Sequence, residues 1–218
     1  MTFEAAIFDL DGTLLNSMNV WEQIDIKFLQ KRGLPVPTDY VVEICARSFE
    51  EAAQYTIELF GLSETIDDII KEWNVMAAYE YTNNVKIQSY AMDYLLQLKS
   101  RGIKLAVATG LPKELFIPCL KNNSILHLFD VLCSTDEVRH GKECPDVFEL
   151  AAKRLRVVPE RCIVFDDVLP AIKSAKLANM IACGVYDKYS AHNQTEIEEI
   201  ADSYILNFKQ APFPCKEV

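Results

Sequence analysis

The segment Phe8-Asp9-Leu10-Asp11-Gly12-Thr13 sets two carboxylates two positions apart, at the end of the apolar run Ala5-Ala6-Ile7-Phe8. At a strand end that spacing sends both side chains to the same side. Gly12 permits a sharp exit, and Thr13 can hydrogen-bond around the turn. The plainer reading of these residues is an acidic loop closed by an Asx-type turn. A second acidic pair, Asp166-Asp167, follows the apolar run Cys162-Ile163-Val164-Phe165. Two adjacent carboxylates set beside two more repel, which raises their pKa values and destabilises the site. A hard divalent cation removes the conflict, and Mg²⁺ favours carboxylate oxygens, phosphate and retained waters. Asp167 could instead N-cap a helix opening at Pro170, a role compatible with metal binding. Thr109-Gly110 offers a hydroxyl and approachable backbone N–H groups, and Lys142 precedes a helix where it could supply a cation to an anion. Taken singly, a Thr-Gly turn or a solvated lysine is ordinary.

The stretches that must position these groups alternate in type. Apolar runs at 5–8, 105–108, 131–133, 162–165, 181–185 and 203–206 have the look of strands buried on both faces. Between them lie helical patterns at 91–100, stopping before Arg101-Gly102, and at 145–156, with a further helix opened by Pro170. The alternation predicts an α/β fold, a mostly parallel sheet with helices on both faces. Ligands of such sheets bind beyond the carboxyl ends of the strands, where both acidic pairs fall. Residues 16–86 break the rhythm. They read as helix after helix, at 20–31, 40–46, 50–60 and 64–81, with breaks at Gly33-Leu34-Pro35, Arg47-Ser48 and Gly61-Leu62-Ser63. The expected organisation is therefore an α/β core of residues 1–15 and 87–218, carrying a helical bundle of residues 16–86. Trp21, Phe28, Tyr55, Phe60, Trp73 and Tyr79, at helical spacings, are expected to form the bundle's core.

Half the residues are hydrophobic and a quarter charged, enough for a sizeable core and too few charges for wholesale disorder. The net charge of -10 argues against nucleic acid as a partner, because phosphate backbones are held mostly by Lys and Arg. A small anionic substrate meets the same repulsion and needs local correction by a metal and a few placed cations. Seven cysteines without a CxxC pair fit reduced thiols acting as small hydrophobes, in a cytoplasmic protein. No apolar run reaches the roughly 18 residues of a membrane span, and the N-terminus lacks the features of a signal peptide. His127, His140 and His192 are isolated and receive no role.

Asp9-x-Asp11-Gly12-Thr13, Thr109, Lys142 with Pro145-Asp146-x-Phe148, and Asp166-Asp167 stand in the order and spacing of four motifs. Together they resemble those of the haloacid dehalogenase superfamily, over essentially the whole chain. The helical block after the first motif resembles the cap of the subgroup that includes β-phosphoglucomutase and phosphoglycolate phosphatase. The resemblance implies a Rossmann-like core with an inserted helical cap, acting as a Mg²⁺-dependent phosphatase on a small phosphorylated metabolite. It implies Asp9 as nucleophile, Asp11 as general acid and base, and Thr109, Gly110 and Lys142 as holders of the phosphoryl oxygens. It also implies that the metal is bound by Asp9, the Asp11 carbonyl and Asp167, with Asp166 direct or through water. Arg47, at a break between cap helices, matches a substrate-contacting loop, and equally a surface arginine at a helix end. A phosphosugar mutase would have the same core residues, and a non-catalytic binding protein is the alternative of another class. A monomer or weak dimer is expected, with no membrane or nucleic-acid partner. The chain departs from the subgroup's pattern at Asn16, Glu143, Val168 and Ala171, none of which touches phosphorus.

Overall fold

The computed structural model describes residues 1–37, 40 and 49–215, so Arg47 and most of the expected 40–46 helix lie outside the described residues. Six strands form one sheet: β1 (Ala5–Phe8), β2 (Lys104–Thr109), β3 (Val131–Ser134), β4 (Cys162–Asp166), β5 (Ile181–Val185) and β6 (Ser203–Ile205). Their order is β3-β2-β1-β4-β5-β6, and every pairing is parallel. The fold is thus the α/β one that the alternation of apolar runs and helical patterns predicts, and Rossmann-like as the resemblance implies. The chain runs outward from β1 through β2 to β3, then returns to place β4 on the other side of β1. That reversal puts the topological switch point between β1 and β4.

Between β1 and β2 come α1 (Met18–Lys31), α2 (Phe49–Phe60), α3 (Ile66–Asn83) and α4 (Ala91–Ser100). Then α5 (Lys113–Asn122), α6 (Asp146–Leu155), α7 (Leu169–Leu177) and α8 (Gln194–Ile200) alternate with the later strands. Two compact units result: Met1–Asn16 with Val85–Val218, and Ser17–Asn84. None of the helices among the described residues is long and apolar enough to cross a membrane.

The sheet of the first unit is packed differently on its two sides. Ala5, Ile7, Ala106, Ala108 and Val164 belong to a cluster with Val147, Phe148 and Ala151 of α6 and Ala171 and Ile172 of α7. Phe8, of opposite parity, stacks on Phe165 of β4 with centroids 4.8 Å apart and planes 8° apart. Tyr94 of α4 meets both rings edge-on, and Phe208 lies tilted against them. Burying such a side chain is worth about 1.5–3 kcal/mol, so this floor fixes where β1 and β4 end. Helix α7 closes with Asn179 at φ 59, while the Met180 N–H donates to Ala175 O and the Asn179 N–H to Lys176 O. This is a left-handed C-terminal cap with Asn in the place glycine usually takes. Of the cysteines, Cys119, Cys133, Cys162 and Cys183 are buried and free, in keeping with their apolar sequence contexts.

Two helices of this unit were not expected from the sequence. Helix α5 holds Pro118 in its interior, a residue that usually ends a helical pattern. Helix α8 is seven residues long and buries only Ile197, too little for a periodic signal.

In the second unit α3 starts two residues later than expected, because Thr65 and Asp68 form a reciprocal capping box. Phe28 and Trp73 are buried against each other, with ring centroids 5.6 Å apart. Tyr79, expected in the core, is instead 64% exposed, because α3 turns Ile69, Trp73, Ala77, Glu80 and Tyr81 inward. Trp21, Tyr55 and Phe60 are only half-buried. Arg32 ties the bundle by pairing with Glu64 and Glu72 while its guanidinium lies 3.7 Å over the Phe28 ring.

Asp25 on α1 is also buried, and burial first, then the nearby Glu22 carboxylate, pushes its pKa up to about 7. An unfolded aspartate titrates near ~3.9, so the folded chain holds this proton more tightly. Stability from that proton is present below ~3.9 and is lost as pH rises through about 7. Thermal unfolding at pH 5 and pH 8 should show wild type losing more stability than Asp25→Asn over that interval. Equal losses in the two proteins would rule Asp25 out as the source.

Candidate active site

Parallel register sets Phe8 beside Phe165, so Asp9 and Asp166 leave the sheet on adjacent strands at the switch point. The Asp9 N–H donates to Phe165 O at 3.0 Å and extends the ladder by one residue. Asp9, Asp166 and Asp167 are all buried, and each contributes a carboxylate oxygen to a group lying within 4.8 Å. Lys142, 133 residues from Asp9 in sequence, places its ammonium on both Asp9 Oδ1 and, at 2.8 Å, Asp166 Oδ2. Asp166 Oδ1 accepts the Val168 N–H at 3.1 Å.

Asp167 does not cap α7. The helix N-cap is Val168, with no side-chain capping bond. The Asp167 Oδ1 instead accepts the hydroxyl of Thr13 at 3.1 Å, and its Oδ2 is buried with no hydrogen-bond partner among the described residues. Thr13 therefore reaches across 154 residues of sequence, in place of the hydrogen bond around its own turn that the sequence suggested. The turn itself is closed by backbone: Leu10 O accepts the N–H groups of Thr13 and Leu15. Gly12 has φ 78, and a Cβ there would lie 2.7 Å from Asp167 Oδ2. Glycine is thus required twice over, by its backbone and by the carboxylate packed on it.

Electrostatics follow from burial. Desolvation holds the Asp9 carboxyl well above the usual range; Lys142 opposes it, while Asp166, Asp167 and Asp11 reinforce it. Desolvation, then Asp166, pushes Asp167 up to about 7, against the pull of Lys142. Burial opposes the charge on Lys142, but Asp166 and Asp9 outweigh it and raise the pKa. Three carboxylates answered by one ammonium leave two negative charges, the complement of a divalent cation. The buried Asp167 Oδ2, without a partner among the described residues, and the all-oxygen donor set fit a hard cation.

Asp11 is half-buried beside Asp9 and bridges to Leu15. Thr109 ends β2 and is buried; its hydroxyl oxygen accepts the Leu111 N–H at 3.1 Å, leaving its own proton to donate. Gly110 follows it, exposed and with open space where a side chain would be. Glu143, a departure from the subgroup's pattern, accepts the Gly141 N–H at 3.0 Å and so is engaged by its own turn. Sequence reasoning passed over Asp187, buried two residues beyond β5, whose charge further raises the Asp167 pKa. An acid in a polar loop carries no local mark of that proximity.

A parallel sheet with its acids at the switch point and a helical insertion after the first strand defines a Rossmann-like α/β core with an inserted helical cap. Residues 6–185 match the family described as haloacid dehalogenase-like hydrolase. The chain belongs to that family, as a phosphoric monoester hydrolase with a helical cap. It is similar to a validoxylamine A 7'-phosphate phosphatase of Streptomyces hygroscopicus, 28% identical over 90% of this chain and 92% of that protein. It is also similar to a phosphorylated carbohydrates phosphatase of Thermotoga maritima, at 27% identity over 81% of this chain and 82% of that one. Among solved structures, a candidate β-phosphoglucomutase of Thermotoga maritima superposes with a TM-score of 0.83, at 25% identity, covering 93% and 94% of the two chains.

The contact between Gly12 and Asp167 can be tested. Gly12→Ala should cost about 1–3 kcal/mol of stability through its left-handed backbone. The added methyl should also displace the Asp167 carboxylate and weaken divalent-cation binding in a calorimetric titration. Unchanged melting together with unchanged cation affinity would contradict the geometry.

Proposed function

We propose that this chain is a cytoplasmic, Mg²⁺-dependent phosphatase that cleaves small phosphorylated metabolites, sugar phosphates among them, through an aspartyl-phosphate on Asp9. The observation that carries this reading is the ammonium of Lys142 lying on Asp9 and Asp166 at the switch point, next to the unpaired Asp167 Oδ2. The similarity to a protein named as a phosphorylated carbohydrates phosphatase supports the substrate class.

In this reading an Asp9 carboxylate oxygen attacks phosphorus, and the ester P–O bond breaks as the Asp9–O–P bond forms. Asp11 gives its proton to the departing alkoxide, then takes one from the water that hydrolyses the acyl phosphate and frees inorganic phosphate. General acid–base help of this kind is worth about 10²–10⁴-fold. Lys142 holds phosphoryl oxygens by charge, Thr109 by its free hydroxyl proton, and Gly110 by its backbone N–H. The carboxylates of Asp9 and Asp167 and the Asp11 carbonyl would hold Mg²⁺, with Asp166 direct or through water. The bound cation would supply neutralisation of the charge on the transferring group. Residues 16–86 act as the cap that selects the substrate, with Arg47 its proposed contact. A phosphosugar mutase would use the same core residues but return the phosphoryl group to a sugar, which product analysis separates from phosphate release.

Hydrolysis of an aryl phosphate should require Mg²⁺ and stop with excess chelator; full turnover under chelation would sink the metal assignment. Asp9→Asn should abolish both turnover and the phosphoenzyme. Asp11→Asn should slow turnover by about 10²–10⁴-fold, most for poor leaving groups, yet still accumulate label from an activated ester. Acid-quenched labelling with peptide mapping decides the point, and label on any residue but Asp9 would overturn the mechanism.

A further inference from the structure

A cavity of about 300 Å³ opens in the core unit at the carboxyl end of the sheet, among the turns after β1, β5 and β6 and the segment leading into α4. Thr13, Gln88, Tyr90, Tyr186 and Asn207 line it with apolar surface from Leu206. Of its lining only Thr13 touches the carboxylate cluster, through its bond to Asp167. Neither Asp9 nor Lys142 belongs to it, and none of its lining residues is charged.

Two further observations single it out. The side chains of Gln88, Ser89 and Tyr186 hydrogen-bond nothing among the described residues, and Asn207 uses its Oδ1 on the Lys209 N–H, which leaves its amide NH₂. Tyr90 stands at φ 65, a left-handed conformation that a bulky residue avoids and glycine adopts freely. The residue is 52% exposed, so core packing does not explain a tyrosine there. Backbone outliers of this kind cluster at functional sites as well as at helix ends, and Tyr90 is the N-cap of α4.

We propose that this cavity is a second small-molecule site, taking an uncharged hydroxylated ring such as an unphosphorylated monosaccharide or cyclic polyol. A phosphorylated compound finds no cation in the lining, and Asp167 and Asp187 stand nearby. A wholly apolar ligand would strip water from the free amide and hydroxyl groups without replacing it. An amphipathic ring satisfies both, laying its C–H face on tyrosine and its hydroxyls on Gln88, Ser89 and Asn207. The volume, at the low end of the range of about 300–1,000 Å³ for ligand pockets, suits one such ring.

Saturation-transfer NMR against a panel of neutral hexoses, pentoses and inositol at millimolar concentrations tests the site. At least one compound should bind wild type and Asp9→Asn alike, undisplaced by inorganic phosphate. Its affinity should fall about tenfold in Tyr186→Ala and in Tyr90→Gly. Tyr90→Gly keeps the left-handed backbone, so it should melt at or above wild type, which separates lost binding from lost folding. No binding anywhere in the panel, binding unaffected by both tyrosine variants, or binding displaced by phosphate would overturn the proposal.

Discussion

Three carboxylates, those of Asp9, Asp166 and Asp167, are buried within reach of one another at one point of the sheet, and a single ammonium answers them. Left to itself such a cluster drives protons onto its members, as the raised pKa values of Asp9 and Asp167 express. The rest of the core can be understood as what holds these groups together despite that cost. Parallel pairing of β1 with β4 brings Asp9 beside Asp166, and the Phe8–Phe165 stack fixes the depth at which both strands stop. Gly12 lets the chain leave β1 steeply enough for Asp167 to pack on its α-carbon.

The cluster is also what connects fold to chemistry. A buried oxygen with no partner among the described residues is rare in folded proteins, and Asp167 Oδ2 lies in a cluster of carboxylates whose spacing suits a metal ion. Lys142 offsets two carboxylates where charge is concentrated. In an acidic protein with net charge -10, Lys142 sets an ammonium directly among those carboxylates. Membership of the haloacid dehalogenase-like hydrolases fits that arrangement.

The helical unit obeys different rules. Its core rests on Phe28 and Trp73, its surface on the ties of Arg32, Lys27 and Lys31 to acids of α3 and its N-terminal turn. The Lys31–Glu72 pair, exposed at its lysine, contributes at most about 1 kcal/mol, whereas Arg32 is part-buried between Glu64 and Glu72. Asp25 sits within it as a buried acid at the expense of stability at high pH.

Sequence alone was enough for the strands, because a strand buried on both faces must be continuously apolar, and such runs are short and visible. It was enough also to mark Asp9, Asp166 and Asp167, which sit at the ends of those runs and which the fold brings together, and for Asn179, whose side chain tolerates the left-handed cap. Helices α5 and α8 were illegible because an internal proline and a single buried isoleucine mask their periodicity. Tyr79 misled for the converse reason: periodicity names several possible faces, and only neighbours choose among them. What the tertiary structure alone decided are the partners. Thr13 meets Asp167, Lys142 meets Asp9, and Asp187 comes near Asp167, because the order β2-β1-β4-β5 closes distances that the chain leaves at over a hundred residues for the first two. Local pattern reports which groups face inward; strand order decides which of them meet.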